Sequence, residues 1–269
     1  MTTPDQRRTA LAQLNDKGLS HRAACRWSGL SRHLWTYRPR LPERDQVLVT
    51  QMKSVTVTQP RFGYRRVAVL TQLSFHRAYR LWKQQNFRLQ PPRPRRPRVS
   101  RPDPRPHQAE HPNHVWTYDI LHDQLADGRW FKTLSLLDEY TRECLHIQVD
   151  HSIRVPQVLT ALTTAMTQRG KPEFLRSDNG SQFTATAVMA WLKQEAVGPS
   201  FIPPGHPWQN GFIESFHSHF RDECLNREWF RSEAEAAVII EQWRRQYNTC
   251  RPHSALGYKT PAQVAARTT

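Results

Sequence analysis

Three acidic residues stand at positions where a carboxylate is hard to explain as surface solvation. Asp119 lies inside the strand-like run Val115-Trp116-Thr117-Tyr118-Asp119-Ile120. A carboxylate among strand formers and aromatic rings must face solvent, a partner or a metal. Asp178 follows the apolar run Phe174-Leu175-Arg176-Ser177 and precedes Asn179-Gly180, where the backbone can turn sharply. That places it at a strand's carboxyl end, where sites in α/β folds gather. Glu214, in Asn210-Gly211-Phe212-Ile213-Glu214-Ser215-Phe216, falls in the first turns of a helix. Carboxylates brought together repel by roughly 4 kcal/mol at about 4 Å and an effective dielectric near 20, so a cluster of them calls for a cation. All-oxygen donors favour Mg²⁺ or Mn²⁺. Asp138 is a further candidate ligand, although its place at a strand end favours a turn role. His206, Trp208 and Asn210 either order a substrate or shape a loop. His21 and Cys25 share a helix face at zinc-ligand spacing, but no second Cys/His pair completes a set, so core packing is expected. The tail motif Arg251-Pro252-His253 suits phosphate contact or a fold-closing turn.

The elements that must position these residues are readable from periodicity and punctuation. Runs 115–122, 130–137 and 143–149 are strand-like, with Asp127-Gly128 as a turn, and predict an antiparallel meander. A helix over 155–168 ends at Gly170. A short strand over 173–177 and a helix over 183–196 follow. A helix over 208–226 is entered through Pro203-Pro204-Gly205-His206-Pro207, and 232–247 is the last long helix. Strands first and then alternating elements imply a mixed sheet covered by helices.

The run 89–109 separates this half from an all-helical one. Its centre, 90–107, holds seven of the chain's 20 prolines and six arginines, with Asp103 as the lone acid. Such a composition forbids helix and central strand and predicts a semi-rigid basic tether. Arg93, Arg95, Arg96 and Arg98 in it are candidate phosphate contacts. Upstream, Ser20 and Ser31 are plausible N-caps of two short helices around Gly29, the ingredients of a helix-turn-helix, with Arg32, His33 and Tyr37 able to reach DNA. A second helical pair follows Arg61-Phe62-Gly63-Tyr64-Arg65-Arg66, with Ser74 capping 75–86. Tyr79 and Trp82 are expected in its core, and Arg65, Arg66, Arg77 and Arg80 on phosphates.

Over 269 residues, 39 Lys and Arg against 23 Asp and Glu leave a net charge of +16, which points to a polyanionic partner, most commonly nucleic acid. No run approaches the roughly 20 apolar residues of a membrane span, and the polar N-terminus has no secretory h-region. Four scattered cysteines argue against a disulfide scaffold and fit a reducing compartment, so the expected location is cytoplasmic and nucleoid-associated.

Read together, the ordered blocks resemble a known family. Trp116-Thr117-Tyr118-Asp119, Ser177-Asp178-Asn179-Gly180-Ser181-Gln182-Phe183 and Asn210-Gly211-Phe212-Ile213-Glu214-Ser215-Phe216 are similar to the three signature blocks of a retroviral-integrase-type (DDE) core. The particular likeness is to IS-three-family insertion-sequence transposases of the second-reading-frame (OrfB) type. Leu137-Asp138-Glu139-Tyr140-Thr141-Arg142, Arg221-Asp222-Glu223-Cys224-Leu225-Asn226 and Tyr247-Asn248-Thr249-Cys250-Arg251-Pro252-His253 extend the match. The resemblance implies an RNase-H-like five-stranded mixed sheet flanked by helices, behind a small helix-turn-helix region. Four segments are expected: 1–88 helical and DNA-binding, 89–109 linker, 110–229 catalytic core, and 230–269 C-terminal helix and tail. It also implies Asp119, Asp178 and Glu214 as catalytic metal ligands for two Mg²⁺ ions, with Mn²⁺ as substitute. Arg221 is implied as a DNA clamp, seven residues and about two helical turns past Glu214 and therefore on the same face. The implied reaction is phosphodiester cleavage and strand transfer at insertion-sequence ends. The implied partners are double-stranded DNA, further copies of the chain as a homodimer or higher multimer, and an upstream reading-frame product. An inactive DNA-binding regulator of transposition, a plain metal-dependent nuclease and an RNA-directed enzyme are the rival readings.

Overall fold

The computed structural model describes residues 4–29, 31, 33, 41–87, 107–203 and 205–266. The chain forms two compact units, Met1–Gln51 and Met52–Thr269. The second helical pair and the C-terminal helix both belong to the larger unit. The tether lies outside the described residues apart from 107–109, and so does Arg32.

In the smaller unit, α1 (Pro4–Asp16) and α2 (His21–Ser28) meet through Leu11 and Ala24, with Leu14 alongside. Ser20 caps α2 as the sequence predicts, its hydroxyl accepting from the Ala23 amide, and Gly29 ends the helix at φ 66°. Cys25 is buried and His21 exposed, so the two do not form a metal face. His33 is helical and exposed. Helix α3 (Leu41–Thr58) spans the division between the units and was not expected. Its Val47, Val49, Val55, Thr56, Val57 and Thr58 are β-branched residues of weak helix propensity.

The larger unit is built on a five-stranded sheet in the order β3-β2-β1-β4-β5. Strands β1 (Val115–Gln124), β2 (Trp130–Asp138) and β3 (Cys144–Asp150) form the antiparallel meander. Strands β4 (Phe174–Ser177) and β5 (Gly198–Phe201) add parallel to β1. Side chains alternate across the sheet. From β1, Trp116 and Tyr118 enter a core completed by α6 (Val155–Arg169) and by α8 (Thr186–Gln194), which follows the single turn α7 (Ser181–Thr184). Leu121 instead packs against the opposite core. That core joins Phe131, Leu137 and Ile147 of the sheet to Ile213, Phe216 and Phe220 of α9 (Gly211–Glu223) and to Ile240, Trp243 and Tyr247 of α10 (Glu233–Thr249). Helices therefore cover both faces, and the RNase-H-like arrangement is present.

The second helical pair is α4 (Tyr64–Leu70) and α5 (Phe75–Gln84), the latter capped by Ser74. It buries Ala78 and Leu81 rather than the expected Tyr79 and Trp82. Tyr79 is 43% exposed and tilts onto the Tyr64 ring 5.0 Å away. The chain ends in α11 (Pro261–Ala265), capped by Thr260.

Candidate metal-dependent active site

Strand alternation sets where each candidate acid points. Residues 117, 119 and 121 project from the face of β1 that α9 covers. Asp119 is thus on the α9 side, opposite Trp116 and Tyr118. The parallel register pairs Val115 with Phe174 and Thr117 with Arg176. Continued by two residues, that offset sets Asp178 beside Asp119. Asp178 leaves β4 directly into a turn whose Gly180 amide donates to its Oδ1 at 2.9 Å. A Cβ on Gly180 would stand 3.0 Å from that same oxygen, so the turn holds the carboxylate close to the backbone.

Glu214 comes from the first turn of α9 and is exposed. What seats this helix is a buried hydrogen bond from the Thr117 hydroxyl to the Asn210 side-chain oxygen, 2.9 Å long. It ties the residue before α9 to the residue two before Asp119. Arg221 closes the other end, donating to the carbonyl of His122 on β1 at 3.0 Å. Glu214 and Arg221 therefore lie along the face of α9 that borders β1.

Asp119 senses the other two carboxylates. Burial pushes Asp119 up to about 6, the charges of Asp178 and Glu214 push in the same direction, and only the Ile120 amide, 2.7 Å from Oδ1, opposes them. Partial burial also raises Glu214 above the usual carboxylate range. Among the described residues no arginine or lysine pairs with any of the three. The nearest partner is the His217 imidazole, whose Nδ1 is 3.7 Å from Asp119 Oδ2. Burial drives that imidazole down to about 4, with Arg221 adding to the effect, so it is neutral at pH 7. His217 was not foreseen. Its spacing of three from Glu214 places it on that face, but a lone histidine in a helix gives no other signal. An oxygen donor set in which two further carboxylates act on Asp119, with no arginine or lysine paired to it among the described residues, fits a hard divalent ion.

The other sequence candidates take structural places. Asp138 is buried and accepts backbone amides from Asn113, Tyr140 and Thr141 at 2.8 to 2.9 Å, so it builds the β2–β3 turn, as its position suggested. Arg251 is buried in a bidentate pair with Glu223, both contacts 2.7 Å, and fastens the tail to the end of α9. Arg66 reaches Glu223 at 3.7 Å, whereas Arg65 is exposed. Arg77 and Arg80 lie half-buried on α5. His206 packs against Trp208 at 4.6 Å in the turn before α9.

Geometry of this kind, acids from β1, from the end of β4 and from a helix crossing the sheet, defines a phosphodiester-processing core of the integrase class. Residues 109–207 and 195–261 each match an integrase core domain model. The 39.2 kDa protein of insertion element IS476 from Xanthomonas euvesicatoria is 39% identical over 98% of this chain and 78% of its own length. The 31.7 kDa protein of insertion element IS407 from Burkholderia multivorans is 37% identical over 93% of this chain and 91% of its own. The catalytic core domain of HTLV-2 integrase, solved with magnesium, covers 57% of this chain and 97% of that one at a TM-score of 0.45 and 16% identity. On the strength of its sequence relatives, the chain belongs to the insertion-sequence transposases with an integrase-type core, enzymes of metal-dependent DNA cleavage and strand transfer.

Proposed function

We propose that Asp119, Asp178 and Glu214 are the catalytic metal ligands of this transposase, taking two Mg²⁺ ions with Mn²⁺ as substitute, and that they act at the ends of its insertion element. The observation that supports the assignment is Asp119, raised to about 6 by burial and by the charges of Asp178 and Glu214, with no arginine or lysine paired to it among the described residues. Bound there, divalent metal supplies Lewis-acid polarisation of a phosphodiester and activation of the attacking oxygen.

The residues of the chain provide position. Adjacent parallel strands fix Asp119 against Asp178. The Thr117–Asn210 hydrogen bond sets the angle at which α9 presents Glu214. The neutral His217 ring limits how Asp119 can turn, and Arg221, two turns beyond Glu214, clamps donor DNA. In the first step a water oxygen bonds to phosphorus, the P–O3′ bond breaks, and a 3′-hydroxyl is released while the proton passes to solvent. In the second, that hydroxyl attacks another phosphodiester. One P–O bond forms as one breaks, so joining needs no external energy.

Arg32 and His33 of the helix-turn-helix expected from the sequence, Arg65, Arg77 and Arg80 of the second pair, and the tether arginines Arg93, Arg95, Arg96 and Arg98 contribute phosphate contacts in this reading. Two ends must be handled together, which requires a homodimer or higher multimer, and an upstream reading-frame product completes end recognition. A nucleoid-associated location follows from the DNA substrate. No described helix is long and apolar enough to cross a membrane.

The test incubates purified protein, with Mg²⁺ and then Mn²⁺, with labelled duplexes made from the repeats flanking its gene. Nicks bearing 3′-hydroxyls followed by covalently joined strands, both absent with Glu214→Gln, are expected. Cleavage that persists in Glu214→Gln would overturn the ligand assignment. Cleavage without joined products would reduce the protein to a nuclease.

A further inference from the structure

Helix α9 has a second polar face. Phe212, Ser215 and His219 recur at helical spacing, rotated away from Glu214 and Arg221, and they line a cavity of about 400 Å³. Its remaining charged walls are Arg66 from α4, Arg142 from the β2–β3 turn and Arg251 from the tail. Three guanidinium groups therefore converge from three separate parts of the chain, and the carboxylate in direct contact with two of them is Glu223.

Each wall is held in place. Arg142 sits at φ 62°, a left-handed conformation unusual for a side chain of its size, and its amide donates to the Asp138 carbonyl at 2.9 Å. That turn is in turn fixed by the buried Asp138 carboxylate. Strained backbone held by its surroundings is a common mark of functional positions. The result lays the Arg142 guanidinium on the Phe212 ring, 3.6 Å from its centroid. Face stacking orients the plane of the guanidinium. Arg251 is locked by its two 2.7 Å contacts to Glu223. His253, which accepts from Arg251 at 3.4 Å, is pushed down to about 2 by burial and then by the charges of Arg251, His219, Arg66 and Arg142, as a positive cavity requires.

We infer that this cavity is a binding site for a backbone phosphate of the DNA strand being processed, with Arg142 as its principal contact. Planar guanidinium donors match phosphate oxygens, and a polar, positively charged cavity lined by arginines suits an anion rather than a base. The cavity and the acids occupy two faces of one helix about 10 Å across, a span of about three nucleotides at roughly 3.4 Å per residue of strand. The Arg251-Pro252-His253 motif thereby gains a role, as the floor of this site. The inference rests on the reading that DNA crosses α9 at Glu214.

The experiment measures equilibrium binding of the full chain to a labelled element-end duplex over a range of salt, for wild type, Arg142→Gln and Arg142→Lys. Arg142→Gln is expected to weaken binding about tenfold and to reduce the slope of log affinity against log salt by about 0.9, the share of one phosphate contact. Arg142→Lys is expected to keep the slope while losing affinity. Replacing single phosphates about three nucleotides from the cut by neutral methylphosphonates should weaken wild type and leave Arg142→Gln unaffected. An unchanged slope and affinity in Arg142→Gln, or methylphosphonate effects that add fully to it, would overturn the proposal. Magnesium-induced thermal stabilisation is measured on the same proteins. It should survive in Arg142→Gln and vanish in Glu214→Gln, so failure of the metal site and failure of the phosphate site give different patterns. If Arg142→Gln does not fold, Phe212→Leu, which removes the ring beneath the guanidinium, is expected to weaken binding without changing the salt slope. An unchanged affinity there would equally overturn the assignment.

Discussion

Two groups of carboxylates in the larger unit follow opposite rules. Glu139, Glu143 and Glu223 are buried, and each faces an arginine: Arg176 at 2.8 Å, Arg169 at 2.5 Å and Arg251 at 2.7 Å. Asp119 instead feels the charges of Asp178 and Glu214, with a neutral histidine as its nearest side-chain partner. The first group stabilises an arrangement of elements, because a buried charge is tolerable only when paired. In the second, the parallel β1–β4 register and the Thr117–Asn210 bond keep Asp119 near two further carboxylates, an arrangement that the proposed metal would relieve. Removing an acid should therefore have opposite consequences in the two groups.

The largest effect belongs to the second group. Asp119→Asn, Asp178→Asn or Glu214→Gln should reduce cleavage by at least about a thousandfold, since in the proposed reading each removes a charge that holds the catalytic ion. DNA affinity should stay within a few-fold, because the net charge of +16 is spread over the chain. Cleavage assays and gel-shift titrations on the same preparations check this, and a parallel collapse of affinity would erase the distinction between the groups.

Next in size is the stability effect in the first group. Glu139 and Arg176 are 1% and 0% exposed, so Glu139→Gln strands a guanidinium in the interior and should cost about 3–5 kcal/mol in denaturant unfolding. Whatever remains folded should cut DNA at the wild-type rate per molecule. A stable but inactive Glu139→Gln would move Glu139 into the other group.

How far these roles were legible in sequence follows from how local their causes are. Asp119 and Asp178 could be placed because strand period and an Asn-Gly turn are short-range signals, and Ser20 and Ser74 announced their helices by capping them. Strand β5, Gly-Pro-Ser-Phe, carries two residues that disfavour strands. It forms because an edge strand tolerates Pro199, and because Gly198 leaves room for Phe174, whose ring would lie 2.7 Å from any Cβ there. The expected single helix over 183–196 breaks into α7 and α8 at Ala185, whose ψ of 137° is extended, and nothing in the composition marks that break. The pairings of Arg176 with Glu139 and of Arg251 with Glu223 join residues far apart in the chain, as does the Thr117–Asn210 bond. Their partners exist only once the sheet has formed, so the motif around Arg251 could not be told apart from a phosphate contact.

A smaller effect measures the repulsion directly. Divalent metal at about 100 times its dissociation constant should stabilise the protein by roughly 2.7 kcal/mol, read as a rise in melting temperature. Glu214→Gln should lose this stabilisation and Glu223→Gln should keep it. Equal loss in both would mean that the ion merely screens the surface.

The smallest effect lies in pH, and there the two kinds of carboxylate have opposite signs. Asp119 is raised from its ordinary 3.8 to about 6, so the folded metal-free protein holds its proton more tightly than the unfolded chain does. Its contribution is present below pH 3.8 and is lost as pH rises through about 6. Glu241, gripped by Arg244 and Arg245, is lowered from 4.5 to about 2, and its contribution is present above pH 4.5 and lost as pH falls toward 2. Because 38% of the Glu241 side chain is exposed, Glu241→Gln should cost at most about 1 kcal/mol at pH 7. His217, lowered from 6.5 to about 4, loses its contribution as pH falls through that window and so offsets the slope from Asp119. Metal-free stability should therefore vary little between pH 4 and 6.5 in wild type, and should rise on acidification over that range in His217→Gln. Metal competes with the Asp119 proton, so magnesium-induced stabilisation should grow as pH rises to about 6 and level off above it. A magnesium effect independent of pH from 5 to 7 would mean that Asp119 does not meet the ion, and the contrast between the two groups of acids would then rest on Asp178 and Glu214 alone.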